Sequence, residues 1–297
     1  MKKASSDRII FNCLGYSFVV FIAICCLVPF IIVISGSLTS EKYIIANGFS
    51  IIPREFTTKA YQLALSNPMA IIKAYIVTTS ITLMGTFIGL FLLSMTSYVL
   101  QRKDFEWRNK ISFYIYFTSL FSGGLVPWYI LMVSYLHLKD NYLALLLPPL
   151  LNVFYMLVMK SYMRSIPDAI TESAKIDGAG DFTIFIKLIL PLSKSALATV
   201  GLFIALGYWN DWYNTMLFIS NDKMYSLQYY LYRIVNNIEG YKQIVANTSG
   251  SVSLNIDMPS ESLKMALTII VTGPILLLYP FVQRYFVQGI TVGAVKG

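Results

Sequence analysis

The chain has 297 residues, of which 56% are hydrophobic and only 13% charged, whereas a soluble domain carries roughly 25% charged residues. With a mean hydropathy of +0.63, it cannot furnish a solvated surface, so a soluble enzyme is excluded and most of the surface must face a bilayer. The net charge of +8 resides in short segments between apolar runs, the pattern of basic cytoplasmic loops rather than of a nucleic-acid binder.

A spanning helix needs about 20 predominantly apolar residues, and six windows of that order follow one another. The first, about 14–35, comes after Lys2, Lys3 and Arg8 and looks like a signal peptide. Its apolar stretch exceeds the roughly 7–15 residues of a cleaved signal, so an uncleaved span is expected. Cys13, Cys25 and Cys26 all lie in or beside it, without disulfide or zinc spacing. The second window, 75–100, contains Gly85-x-x-x-Gly89, a spacing that permits close helix packing. The third, 111–136, carries Ser119 and Ser122, with Ser122-Gly-Gly-Leu125 as flexible glycines at a bend. His137, the sole histidine, follows it and rules out an H-E-x-x-H zinc site.

The fourth window, 142–160, holds Pro148-Pro149 and predicts a kink. Within it, Asn152 and Tyr155 either line a pathway or act as hydrogen-bond partners between packed helices. The fifth, 195–219, gathers Tyr208, Trp209, Asn210, Asp211, Trp212 and Asn214. Aromatic faces and amide or carboxylate groups recognise sugars, and an ionisable residue inside a span faces protein or water. Counted from Ser195 along one continuous helix, Asp211 falls ~24 Å along, near the outer side. There the same aromatics also suit an interfacial belt or packing against a partner. The sixth window, 264–284, includes Gly273-Pro274 and Pro280 and should bend.

With the N-terminus inside, fourteen Lys and Arg residues fall in inner segments and nine in longer outer ones; this bias puts both termini in the cytoplasm. Three connections are long: 36–73 and 220–262 outside, and 161–194 inside. The 220–262 connection, with Arg233 and Glu239, suits docking of a binding protein or is simply a solvated link. No repeat or separate soluble domain appears, so residues 1–297 form a single transmembrane domain.

The inner connection reads as helix, stop, helix. Asp168 after Pro167 suits a helix start, with Glu172 one turn later on the same face. Gly178 suits the left-handed residue that ends the helix, and Asp181 can cap the next one. Small residues Ser173, Ala174, Ala179 and Gly180 allow close approach, while Glu172 and Asp177 can pair with basic groups of a partner. A docking knob and a helix lying on the membrane fit this spacing equally.

Glu172-Ser-Ala-x-x-Asp177-Gly-Ala-Gly180, followed by Ile189-Leu-Pro191, resembles the coupling signature of binding-protein-dependent ABC importer permeases. Ser122-Gly-Gly-Leu-Val-Pro-Trp-Tyr129, Leu206-Gly-Tyr-Trp-Asn-Asp-Trp212, Gly273 to Pro280 and Gln283 to Gly297 are similar to the sugar-importer branch, within it the LplC-like group associated with complex oligosaccharides. Ser173 stands at the middle position of E-A-A, and Ser193-Lys194-Ser195 replaces a frequent proline. The resemblance implies an all-α, six-span type I importer (MetI-like) fold in a bacterial cytoplasmic membrane. It also implies a second, different permease, two ATPase subunits seated on Glu172, Ser173, Ala174, Asp177, Gly178, Ala179 and Gly180, and an extracellular or periplasmic solute-binding protein that delivers an oligosaccharide. ATP and Mg would be held by the ATPase subunits, since no G-x-x-x-x-G-K-[ST] loop occurs here, and no metal or catalytic residue is expected. Two rival readings remain: an intramembrane aspartyl protease using Asp181 of Gly178-Ala-Gly-Asp181, and an ion-coupled carrier using Asp211.

Overall fold

The computed structural model describes residues 6–248 and 260–276, which are predominantly helical apart from an isolated bridge between Thr39 and Phe56. The described residues divide into two compact units, one up to Pro68 together with Arg233–Pro274, the other Met69–Tyr232.

In the first unit, α1 (Ser6–Ser37) is followed by the short α2 (Glu41–Asn47) and α3 (Lys59–Ala64). Phe11–Ser37 of α1 is apolar on every side and none of its most apolar stretch is buried, the signature of a helix solvated by lipid. Where α1 ends, the chain turns polar and tight. Ser37 Oγ donates to Ile34 O (2.7 Å), and Thr39 Oγ1 donates to Ser35 O (2.7 Å).

The buried Glu41 joins α2 to a helix at 261–276. Its Oε1 accepts from Ser260 Oγ (2.7 Å) and Glu261 N (3.0 Å), and its Oε2 from Ser262 N (3.0 Å) and Ser262 Oγ (2.9 Å). A carboxylate thus satisfies the orphan N–H groups of a helix start and sits at the positive end of its dipole. Burial by itself would raise the Glu41 carboxyl, but the hydrogen bonds from Glu261, Ser262 and Ser260 outweigh it and hold the group below its ordinary value. A carboxyl depressed on folding stabilises above its unfolded pKa, and that stability is lost as pH falls through the folded one. Glu41→Gln is therefore expected to cost ~1–2 kcal/mol and to speed amide hydrogen exchange at Glu261 and Ser262 near neutral pH. Unchanged exchange would remove Glu41 as the anchor.

The second unit is organised on α4 (Pro68–Gln101), 34 residues long. Next come α5 (Arg108–Leu120), α6 (Leu125–Ile130) with its π-helical continuation Leu131–Tyr135, α7 (Leu143–Leu146) and α8 (Val153–Arg164). The inner connection forms α9 (Asp168–Ile176) and α10 (Asp181–Ile184), which runs through a π segment into α11 (Leu190–Leu192). Then follow α12 (Lys194–Trp209), α13 (Tyr213–Phe218) and α14 (Leu227–Thr248), the last crossing into the first unit's sequence.

Three windows that hydropathy treats as continuous are interrupted. The 111–136 window bends by 113° between α5 and α6, where Gly124 takes φ +88° and Ser122 Oγ accepts its N–H (3.2 Å). At Pro148-Pro149, the expected kink is a full break, because neither proline offers an N–H, and Asn152 starts a new helix. The fifth window is likewise not one helix: α12 stops at Trp209, so Asp211 sits in a turn and the distance counted along a continuous helix does not apply. Among the described residues, α1 and α4 alone are long and apolar enough to cross a bilayer, and up to four spans result if each bent pair counts as one. Within the 220–262 connection, α14 occupies 22 residues.

Leu93, Met156, Met159, Met163, Ile184, Phe185 and Val200 form the fully buried centre of this unit. Helices approach closely where side chains vanish. A Cβ on Gly85 would lie 2.3 Å from the Tyr208 ring, and one on Gly89 would lie 3.0 Å from Leu150 O.

Candidate functional site: the α9 platform and the α12–α13 turn

α9 ends as its sequence dictates. Gly178 takes φ +79°, a conformation that costs an L side chain about 1–2 kcal/mol. Around it Gly178 N donates to Lys175 O (3.0 Å) and Ala179 N to Ala174 O (2.9 Å), the paired bonds of a Schellman stop. Ala174 and Ala179, the two residues this stop brings together, pack on the Met-rich core. Glu172, Ser173, Asp177, Gly178 and Gly180 are left exposed on the other side. Ile176 is 86% exposed and Phe182 64%, so the presented surface is acidic at its centre and apolar at its edge.

A network of ions fixes the platform from behind. Arg102, at the end of α4, binds Asp104 through two nitrogens and Asp181 Oδ1 at 2.7 Å. Lys175 Nζ reaches Asp104 Oδ2 at 2.9 Å, and Lys103 Nζ reaches Asp168 Oδ2 at 2.6 Å. The Arg102 guanidinium, and Lys175 after it, hold the Asp104 carboxyl well below the usual carboxylate range. Asp181 is the first residue of α10 and makes no cap with its side chain; its charge is spent on Arg102. This overturns the protease reading of Gly178-Ala-Gly-Asp181. A proteolytic dyad shares one proton between two carboxyls, whereas Asp104 and Asp181 are each met by the same arginine.

The α12–α13 turn holds the residues singled out in the fifth window. Tyr208 and Trp209 are buried; Tyr208 Oη donates to Leu146 O (2.7 Å), and Trp209 meets Tyr75 edge-on. Asp211 is occupied in shaping the turn: Oδ1 accepts from Asn214 N (3.1 Å), Oδ2 from Asn214 Nδ2 (2.7 Å), and its carbonyl from Ser226 Oγ (3.0 Å). Asn152 caps α8, with Oδ1 accepting from Phe154 N (2.9 Å) and Tyr155 N (3.3 Å), and Tyr155 stacks on Phe203. These groups lie in one unit but work largely as helix-packing and turn-forming residues. What remains partly exposed is an aromatic and amide patch. Trp212 stacks on Tyr232 at 4.6 Å, and Gln228 Nε2 donates to Asn210 Oδ1 (3.2 Å). Gln228, Tyr232 and the Arg102 network carry no signal in the sequence alone. The first two lie on a polar-looking stretch, and Arg102 is one of fourteen basic residues in the inner segments.

The chain belongs to the family of binding-protein-dependent transport system inner membrane components, whose model matches residues 85–292; it is a permease subunit of an ABC importer and not an enzyme. That membership also displaces the ion-coupled carrier built on Asp211. Among relatives, it is 37% identical to the polygalacturonan/rhamnogalacturonan transport system permease protein YtcP of Bacillus subtilis, over 97% of this chain and 99% of that protein. It is 35% identical to protein LplC of the same organism, over 91% of this chain and 90% of the other. A crystal structure of a bacterial ABC transporter involved in import of the acidic polysaccharide alginate contains a chain that superposes with a TM-score of 0.80 at 27% identity, covering 96% of this chain and 100% of that one.

Proposed function

We propose that the chain is one of two different permeases in an importer of oligosaccharides or polysaccharide fragments, with uronate-bearing fragments the foremost substrate class. The whole-length similarity to a permease named for polygalacturonan and rhamnogalacturonan carries this reading, and the likeness to the alginate importer supports the acidic class. In this reading six spans keep both termini on one side, the excess of basic residues in the inner segments makes that side the cytoplasm, and the α9 platform lies there with them. Two ATPase subunits, which hold ATP and Mg, seat on Glu172, Ser173, Ala174, Asp177, Gly178, Ala179 and Gly180. A solute-binding protein docks outside. Closure of the ATPase dimer then pushes α9 and α10, and the bent helices swing between inward-open and outward-open states. Within the pathway, Asn210, Trp212, Gln228 and Tyr232 offer stacking faces and amides to a sugar, while Tyr208, Trp209, Asp211, Asn214, Asn152 and Tyr155 hold the wall in shape.

The test is ATPase activity of the reconstituted complex with binding protein loaded in turn with oligogalacturonate, a rhamnogalacturonan fragment or a neutral arabino-oligosaccharide. Stimulation by an acidic fragment above the neutral one is expected. Stimulation by the neutral sugar alone would overturn the substrate class, and failure of the chain to retain any ATPase subunit would overturn the assembly.

A further inference from the structure

The ends of α4 and α8, the start of α5 and the entry to α9 enclose a cavity of ≈ 500 Å³, within the range of about 300–1,000 Å³ typical of ligand pockets. Lys103, Arg108, Lys160 and Arg164 line it, against a single acid, Asp168. Asp168 is already bound to Lys103 at 2.6 Å. Lys160 Nζ donates to Ser112 Oγ (2.8 Å) and Arg108 Nη1 to Arg102 O (3.1 Å), both neutral acceptors. Lys160 also lies within electrostatic reach of both Arg108 and Arg164. Three cations therefore converge with no acid paired to any of them among the described residues. Like charges gathered in this way repel one another and favour entry of an anion, and guanidinium and ammonium groups are the donors that bind phosphate.

We propose that this cavity binds the phosphate headgroup of an anionic phospholipid of the cytoplasmic leaflet. The surroundings favour a lipid over a dissolved anion. Exposed apolar side chains lie on both bordering helices: Phe154, Leu157 and Val158 on α8, Phe113 and Tyr114 on α5. They offer apolar surface to acyl chains on the same helices whose ends hold the headgroup. Trp107 is 57% exposed nearby, with Lys110 Nζ 4.5 Å above its ring, as expected where a protein meets the membrane interface. Because Asp168 opens α9, an occupied cavity would compete for Lys103 and bear directly on the platform. The leaflet rests on the orientation proposed above.

The full chain is reconstituted in phosphatidylcholine and phosphatidylglycerol mixed in equal parts, extracted, and its retained lipids measured by native mass spectrometry. Enrichment of phosphatidylglycerol is expected, falling about fivefold for each charge removed in Arg164→Gln and then in the triple variant Arg108→Gln/Lys160→Gln/Arg164→Gln. Lys187→Gln, a basic residue outside the cavity, should keep it. The exposed Arg164 position keeps the test valid even where the triple variant fails to fold. No enrichment in the wild type, equal enrichment in Arg164→Gln, or displacement of the lipid by millimolar inorganic phosphate would each overturn the proposal, the last by making the site one for soluble anions. Orientation is read separately, by labelling Arg164→Cys in a chain whose three cysteines are replaced by serine. Labelling from the cytoplasm without lipid enrichment defeats the lipid site alone, and labelling from outside defeats the assigned leaflet.

Discussion

Glu172→Lys is expected to cut stimulation of the ATPase by loaded binding protein about thirtyfold or more, while leaving the fold of the permease unchanged. The two halves of that expectation rest on one observation. Glu172 is exposed on α9 and makes no ion pair or side-chain hydrogen bond within the described residues, so nothing inside the chain depends on its charge. Across an interface the position matters far more, because disrupting a desolvated charge pair costs about 2–5 kcal/mol and reversal adds repulsion. Glu172→Gln should fall between the two, retaining a hydrogen-bonding group without charge. Ile176→Asp tests the apolar edge of the same surface, where 86% of the side chain lies open. Full stimulation in Glu172→Lys, with the complex intact, would show that the ATPase seats elsewhere.

Gly85→Val should be the most damaging single substitution for stability. The Cβ alone would come within 2.3 Å of the Tyr208 ring, and the ring cannot swing aside without giving up the bond from its hydroxyl to Leu146 O. Overpacking of a filled core costs about 1–3 kcal/mol and a lost hydrogen bond about 1 kcal/mol, so a loss of about 2–4 kcal/mol is expected. Thermal unfolding in detergent measures it. Gly85→Ala combined with Tyr208→Ala supplies the internal check, since residues in contact are non-additive: the double variant should be more stable than the sum of its singles. Additive effects would mean that the two helices do not meet at this point.

What could be read from the chain beforehand was whatever depends on local chemistry. The long apolar stretch of α1, the continuous run of α4 and the glycine stop of α9 each follow from a few neighbouring residues. The breaks were harder. A hydropathy window averages composition and joins α5 and α6 into one span; Gly123-Gly124 mark a bend in the sequence, but nothing local to them gives its size of 113°. Asp211 looked like a functional charge because its partners, the side chain and N–H of Asn214, come from a turn that a continuous helix would not contain. α14 reads as a connection because its Tyr, Asn and Arg residues lack the apolar density of a span, although a surface helix needs only one apolar stripe. The Arg102–Asp104–Asp181–Lys175 cluster joins residues more than seventy positions apart, a separation that no local pattern reports.

The 34 unbroken residues of α4 make a rod of about 51 Å, against a hydrocarbon core of about 30 Å. On one side of the rod's midpoint, Thr78 Oγ1 accepts the N–H of Leu227 at the entry to α14 (2.8 Å); at the far end of the other side, Arg102 grips Asp181. A body that long and that stiff behaves as a lever pivoting within the bilayer. Each degree of tilt about its midpoint carries the two ends about 0.4 Å in opposite directions. A small push on the Arg102 end, about 26 Å from the midpoint, thereby reaches the hydrogen bond that seats α14, about 10 Å on the other side, reversed in sense and reduced to about two-fifths.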